Sequence, residues 1–264
     1  MAMLILPKTA MMMIKPSLRP DSYREKPTKS NLLLIAVILV AVNTTAQVSD
    51  FQSWLSVGVK TDISKKFSAG IEAQLRMRDN STRPNSVLLD PGISFKVNKY
   101  LKFAVGYRFS ARFSADNVNT TAHRYNIDAE GRKKFGKLTV KLRTRFQKGF
   151  TDITYNENRR PYSYPAYSRN KLAVEYEISK RFSPYTEFEL FIPLNDPRQR
   201  NADRYRATIG SSFDLKNRNA IDCFFRVQHE LNTANAETDF IIGIGYNYDL
   251  KIKKKKKEKD KNWF

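Results

Sequence analysis

Between residues 67 and 77 every odd position is apolar (Phe67, Ala69, Ile71, Ala73, Leu75, Met77), while the even positions between them are small or polar. A two-residue period puts alternate side chains on opposite faces of an extended chain, so this segment is a strand facing two different media. The period recurs in eleven segments: 51–60, 67–78, 87–97, 101–113, 122–132, 138–146, 172–178, 182–192, 205–215, 221–231 and 240–250. Most are about 10 residues long, the length a tilted strand needs to cross a bilayer. The predicted fold is therefore all-β, a single antiparallel up-and-down transmembrane β-barrel of about 10–12 strands.

Two soluble all-β architectures alternate as well. An immunoglobulin-like sandwich has shorter strands and a polar outward face. A lipocalin-type barrel would turn its apolar phase into the lumen, leaving the other phase in water. Here arginines and glutamates recur at mid-strand among glycines and serines, opposite a bulky aromatic phase, and this favours apolar residues in lipid around a polar interior. Two positions stand out: Trp54 breaks the phase of its segment, and Pro91, which lacks a ladder donor, suggests a bulge.

Bacterial single-chain barrels carry an even number of strands, so eleven segments imply ten or twelve. The tight connections 98–100, 179–181 and 216–218 are expected in the periplasm, and the longer ones, 79–86, 114–121, 149–168 and 193–202, outside. With the C-terminus in the periplasm the segment 51–60 must start from the outer side. It is the segment expected not to span, unless another strand completes twelve.

The longest apolar run, Leu32 to Val42, is too short to span as a helix but has the length of a signal-peptide core. Lysines and arginines precede it, and small residues follow before Gln47. The expected organisation is a cleaved signal peptide with a basic leader over residues 1–46, an outer-membrane barrel over 47–250, and a lysine-rich disordered tail over 251–264 in an exported Gram-negative protein. The 47 lysines and arginines against 26 acids make a net charge of +21. Strand-phased arginines and export argue against nucleic acid as the partner. A single cysteine, Cys223, rules out an internal disulfide framework.

With the apolar phase in lipid, the alternate phase lines the lumen. One stretch of it is basic: Arg76, Arg78, Lys102, Arg108, Arg112, Arg124, Lys141, Arg143 and Arg145. Later strands are acidic: Glu175, Glu177, Glu187, Glu189, Asp214, Asp222 and Glu230. Walls close enough to touch would fill the barrel with ion pairs, because desolvated charges need partners. Walls standing apart would leave a water-filled pore with a transverse field, suited to a small polar or anionic solute. Tyr155, Tyr162, Tyr164 and Tyr167 in the longest connection are candidate extracellular contacts.

Catalysis finds little support. Barrel lipid hydrolases need a serine beside a histidine oriented by a third group. Only His123 and His229 are present, followed by Arg124-Tyr125 and Glu230-Leu231. No metal, cofactor or phosphate-loop pattern appears. The segments Asp50-Phe51-Gln52-Ser53-Trp54, Gln74-Leu75-Arg76, His123-Arg124-Tyr125, Arg143-Thr144-Arg145-Phe146 and the strand 205–215 together resemble the exported family labelled domain of unknown function 2490. That resemblance implies an outer-membrane β-barrel and brings no catalytic residue with it. The expectation is a non-enzymatic barrel in outer-membrane lipid, structural or a narrow channel. Its alternatives are a lipid-modifying outer-membrane hydrolase and a soluble periplasmic ligand-binding barrel.

Overall fold

The computed structural model describes residues 48–113, 120–152, 166–194, 201–233 and 235–251. Every predicted segment is a strand: β1 (Val48–Asp62), β2 (Phe67–Arg78), β3 (Arg83–Lys96), β4 (Leu101–Arg112), β5 (Thr120–Phe135), β6 (Leu138–Asp152), β7 (Tyr167–Tyr176), β8 (Phe182–Pro193), β9 (Arg204–Asp214), β10 (Asn219–Glu230) and β11 (Glu237–Leu250). Each pairs antiparallel with its sequence neighbours, and β1 pairs parallel with β11 to close the barrel. No helix among the described residues is long and apolar enough to cross a membrane. The expected cleavage segment, 1–46, and the tail beyond residue 251 lie outside the described residues, as do Tyr155, Tyr162 and Tyr164.

The count of eleven corrects the expectation of ten or twelve. In an up-and-down meander an odd number of strands brings the first and last in running the same way, so closure needs one parallel pair. That pair runs in unbroken register from Val48↔Glu237 to Thr61↔Leu250. It sets Phe51 beside Phe240 and Leu55 beside Ile244, so the apolar phase continues across the seam. The strand expected to drop out is thus the one that seals the barrel.

Carried once round the barrel, the strand registers shift by about 14 residues, which for eleven strands means a tilt of about 40° and a backbone radius of roughly 11 Å. A 12-residue strand at that tilt rises about 28 Å, enough for the outward apolar band of a membrane barrel. Phe67, Ile71, Leu89, Val105, Ile127, Leu142, Leu172, Phe188, Ile209, Phe225 and Ile244 are among the large apolar side chains exposed on that band. In water such a surface would be untenable. Val105→Arg, in the middle of the band, is expected to destabilise the folded barrel by about 2–4 kcal/mol in lipid, measured as a fall in the urea midpoint of refolding into liposomes.

The two ends differ. One carries the turns after β1, β3, β5, β7 and β9 together with the end of β11; the other carries the start of β1 and the remaining connections. The turn between β5 and β6 is two residues, with Gly136 at φ +58°, the left-handed conformation such a hairpin requires at its first position. The connection after β2, expected to be long, is also tight: β3 begins at Arg83, and Asp79, Asn80 and Ser81 all take positive φ. The expected irregularity at Pro91 is a gap in the β3–β4 ladder at Asp90 and Pro91 that keeps register, whereas the register shift lies at Arg76/Met77.

An arginine and aromatic layer inside the barrel

The inward phase separates into two zones. Towards the turn end it is built of small residues on β1–β4 and β11, including Gly58, Ser68, Gly70, Gly92, Ser94, Ala104, Gly106 and Gly245, which line a cavity of 1140 Å³. The small side chains leave this space open, with Glu72, Lys102 and Asn126 also on its wall. A second space of 460 Å³ lies against Lys141, Glu175, Tyr185, Asp214 and Asp222.

Beyond the small residues the lumen is filled. Trp54 points inward from β1 and is only 5% exposed; the guanidinium carbons of Arg76, Arg226 and Arg206 lie 3.7, 5.4 and 5.6 Å from its ring centre. Phe224 meets Trp54 edge-to-face with centroids 6.5 Å apart and carries Arg226 at 4.6 Å. Phe191, from β8, lies under Arg169 at 4.3 Å and Arg206 at 4.7 Å. Planar guanidinium groups stack on aromatic faces while leaving their N–H edges free for oxygen acceptors. Leu88 and Ile241, also inward and buried, complete the apolar part.

Carboxylates thread between these arginines. Glu189 takes Arg143 at 2.6 Å and Arg169 at 2.8 Å, with Arg206 at 3.8 Å. Asp128 receives both Nε and an Nη of Arg145, and Asp90 receives the same pair from Arg108. Glu187 pairs with Lys171 at 2.5 Å and lies 3.9 Å from Arg226. Such bidentate forks fix geometry as well as charge.

The expected basic and acidic walls therefore do not face each other across a gap. Lys141 reaches Glu175 on the adjacent strand, and Arg143 reaches Glu189 two strands away. Arg108 and Arg145 use Asp90 and Asp128, acids of their own side, and Lys102 uses Glu130. The interior is narrow enough for neighbours to satisfy one another, and ions withdrawn from water adopt the nearest partner. Asp222 accepts a hydrogen bond from Tyr185, and Glu230 one from Arg204. Asp214 sits at the end of β9, lining the smaller cavity. Arg112 lines the larger cavity from the last position of β4, and Arg78 ends β2 beside Asp79.

Glu177 is not in the lumen. It follows the end of β7, exposed, where the hydrogen bond from Lys134 holds its carboxyl below the usual range. Tyr167, expected as a loop contact, is the first residue of β7 and donates its phenol hydrogen to Asp203.

Trp54, Phe191 and Phe224 were not among the expected site residues. The one signal for them was a bulky aromatic on an otherwise polar phase, visible at Trp54 as its break in alternation. Arg169, Arg206 and Arg226, lying within acidic strands, were legible only as counter-charges.

Both histidines lie on the outward phase. His123 Nδ1 is 2.5 Å from the Tyr107 hydroxyl and His229 Nδ1 is 2.8 Å from the Thr238 hydroxyl. No group of three or more His, Cys, Asp or Glu among the described residues is arranged to hold a metal ion.

A family described as protein of unknown function (DUF2490) matches residues 51–240. No curated protein matches the chain. Among solved structures, the beta domain of the Bordetella autotransporter BrkA aligns with a TM-score of 0.41 at 8% identity, over 67% of this chain and 81% of that one. An anion-selective porin from Comamonas acidovorans aligns with a TM-score of 0.35 at 11% identity, over 70% of this chain and 53% of that one.

Proposed function

We propose, for a chain that belongs to the DUF2490 family, a role as a non-enzymatic outer-membrane barrel whose lumen is a narrow, anion-preferring passage held nearly closed by its arginine and aromatic layer. The observation that carries this reading is the charge balance of the layer. Eight arginines (Arg76, Arg108, Arg124, Arg143, Arg145, Arg169, Arg206, Arg226) converge there, and among the described residues the carboxylates within 4.0 Å of them are four: Asp90, Asp128, Glu187 and Glu189. A constriction with excess fixed positive charge and low-dielectric walls attracts anions and repels cations.

The exposed apolar band supports a bilayer setting and weighs against the soluble ligand-binding alternative. The positions of the histidines, each bonded to a hydroxyl on the lipid-facing phase, lend no support to a hydrolase site. By connection length, the turn end with its wide cavity faces the periplasm.

A second reading, a lumen packed only for stability, is favoured by the burial of Ile241 at 0% and Phe191 and Glu189 at 5% each. Planar bilayers separate the two. The expected result is small, stable conductance steps whose reversal potential under a salt gradient has the sign of anion preference. A cation-preferring reversal potential, or a membrane that stays silent at high protein load, would refute the passage.

A further inference from the structure

The arginines of the layer are not equally provided for. Three like-charged pairs that include an arginine of the layer lie directly opposite each other on neighbouring strands, an arrangement that is unfavourable unless acids intervene: Arg145↔Arg169, Arg143↔Lys171 and Arg108↔Arg124. In the first pair Asp128 holds Arg145 and Glu189 holds Arg169; in the second, Glu189 holds Arg143 and Glu187 holds Lys171. The third has one carboxylate, Asp90, and Arg108 takes both of its oxygens. Arg124 has no carboxylate within 4.0 Å among the described residues, and its Nε is buried without a hydrogen-bond partner.

Arg76 is the second cation left over. Its face lies on Trp54, and its Nε donates to Gln74, a neutral acceptor on the same strand. It too has no carboxylate within 4.0 Å among the described residues. Arg76, Arg108 and Arg124 all line the 1140 Å³ cavity, whose small-residue zone approaches them from the turn end.

We infer that Arg76, Arg108 and Arg124 form a binding site for a compact, doubly charged oxyanion of the phosphate class, entering through the turn-end cavity. Arg76 and Arg124 have no carboxylate within 4.0 Å among the described residues, and Glu72 on the same cavity wall offsets only part of their charge, so a net positive charge remains for a phosphate-class anion to neutralise. Guanidinium forks match the tetrahedral or planar array of oxygens that such an ion presents, and a monatomic halide offers no second acceptor. The cavity volume leaves room for the organic remainder of a phosphomonoester. Arg76 is pre-oriented by the indole beneath it, so little rotamer freedom remains to be lost on binding.

The inference rests on the anion-preferring reading of the lumen and specifies its occupant. The test is titration calorimetry of the whole barrel, folded in detergent, with sodium phosphate against sodium chloride at matched ionic strength. Saturable one-to-one binding of phosphate is expected, with chloride giving only heats of dilution. Arg124→Gln and Arg76→Gln are each expected to weaken phosphate binding about tenfold or more, and Lys134→Gln at the turn end to leave it unchanged. Glycerol phosphate binding as well as inorganic phosphate would extend the site to phosphomonoesters.

Phosphate heats no larger than those of chloride overturn the site on the wild-type protein alone, whatever the folding of the variants. Undiminished affinity in both arginine variants overturns its location. Anion-preferring conductance without saturable binding would remove the site and leave the passage; binding to a barrel that never conducts would remove the passage and leave the site.

Discussion

Trp54→Ala is expected to raise the conductance of the barrel several-fold and to cost about 3–5 kcal/mol of stability, the usual range for truncating a buried tryptophan. The two effects share one cause. Trp54 supplies the flat surface on which Arg76 lies at 3.7 Å, and Arg206 and Arg226 border the same ring. Without the indole these guanidinium groups lose their stacking surface and the cross-section beside the cavity they line opens. Single-channel recording measures the first effect, and the temperature at which the barrel loses its compact migration on gels measures the second. Unchanged conductance in a folded Trp54→Ala barrel would show that the layer does not set the width of the passage. Trp54→Phe keeps an aromatic face and is expected to fall between the two.

Removal of the Glu189 charge is the second large effect expected. One carboxylate serves Arg143 and Arg169 directly and Arg206 at longer range, and it is 5% exposed. Glu189→Gln keeps the shape but leaves three guanidinium groups without their shared counter-charge. Breaking a buried ion pair from one side costs about 3–5 kcal/mol, because the remaining ions stay desolvated and unpaired. Thermal unfolding should therefore shift down by many degrees, while the anion preference of any conductance rises. Glu177→Gln is the matched control: its partner Lys134 is equally close, but the pair is exposed at a turn and screened by water. Its unfolding temperature is expected to stay within error of the wild type. Equal losses in the two variants would mean that the lumen is wetter than the packing around Glu189 implies.

Much of the barrel was legible because strand alternation is a local property. Residues 67–78, taken from the period alone, are the bounds of β2, and all eleven predicted segments are strands. What failed was a rule brought to that pattern. An even count discounts the first segment, yet whether β1 spans depends on its pairing with β11, 189 positions along the chain. No local period carries information about a contact at that separation. The connection after β2 was misjudged for a related reason: residues 83–86 contain a proline and polar side chains and read as loop, but pairing with β2 extends the strand through them.

The lumen shows the same division. Which residues point inward follows from parity, so Arg108, Arg124, Glu187 and Glu189 were all placed on the interior from the sequence. Their partners were not. The charge run along the chain suggested two opposed walls, whereas tilt and radius decide which side chains meet, and these bring β6, β7 and β8 together around Glu189.

By itself, then, the sequence determined the two faces: an apolar one of a height to match a bilayer, and a charged one turned inward, since a side chain's face depends only on its place in the alternation. Tertiary structure alone decided that eleven strands close through a parallel seam, that Trp54 becomes the floor of an arginine layer, and that among the described residues no acid comes within 4.0 Å of Arg76 or Arg124. Those outcomes depend on strand register and curvature, which arise from pairings between distant segments.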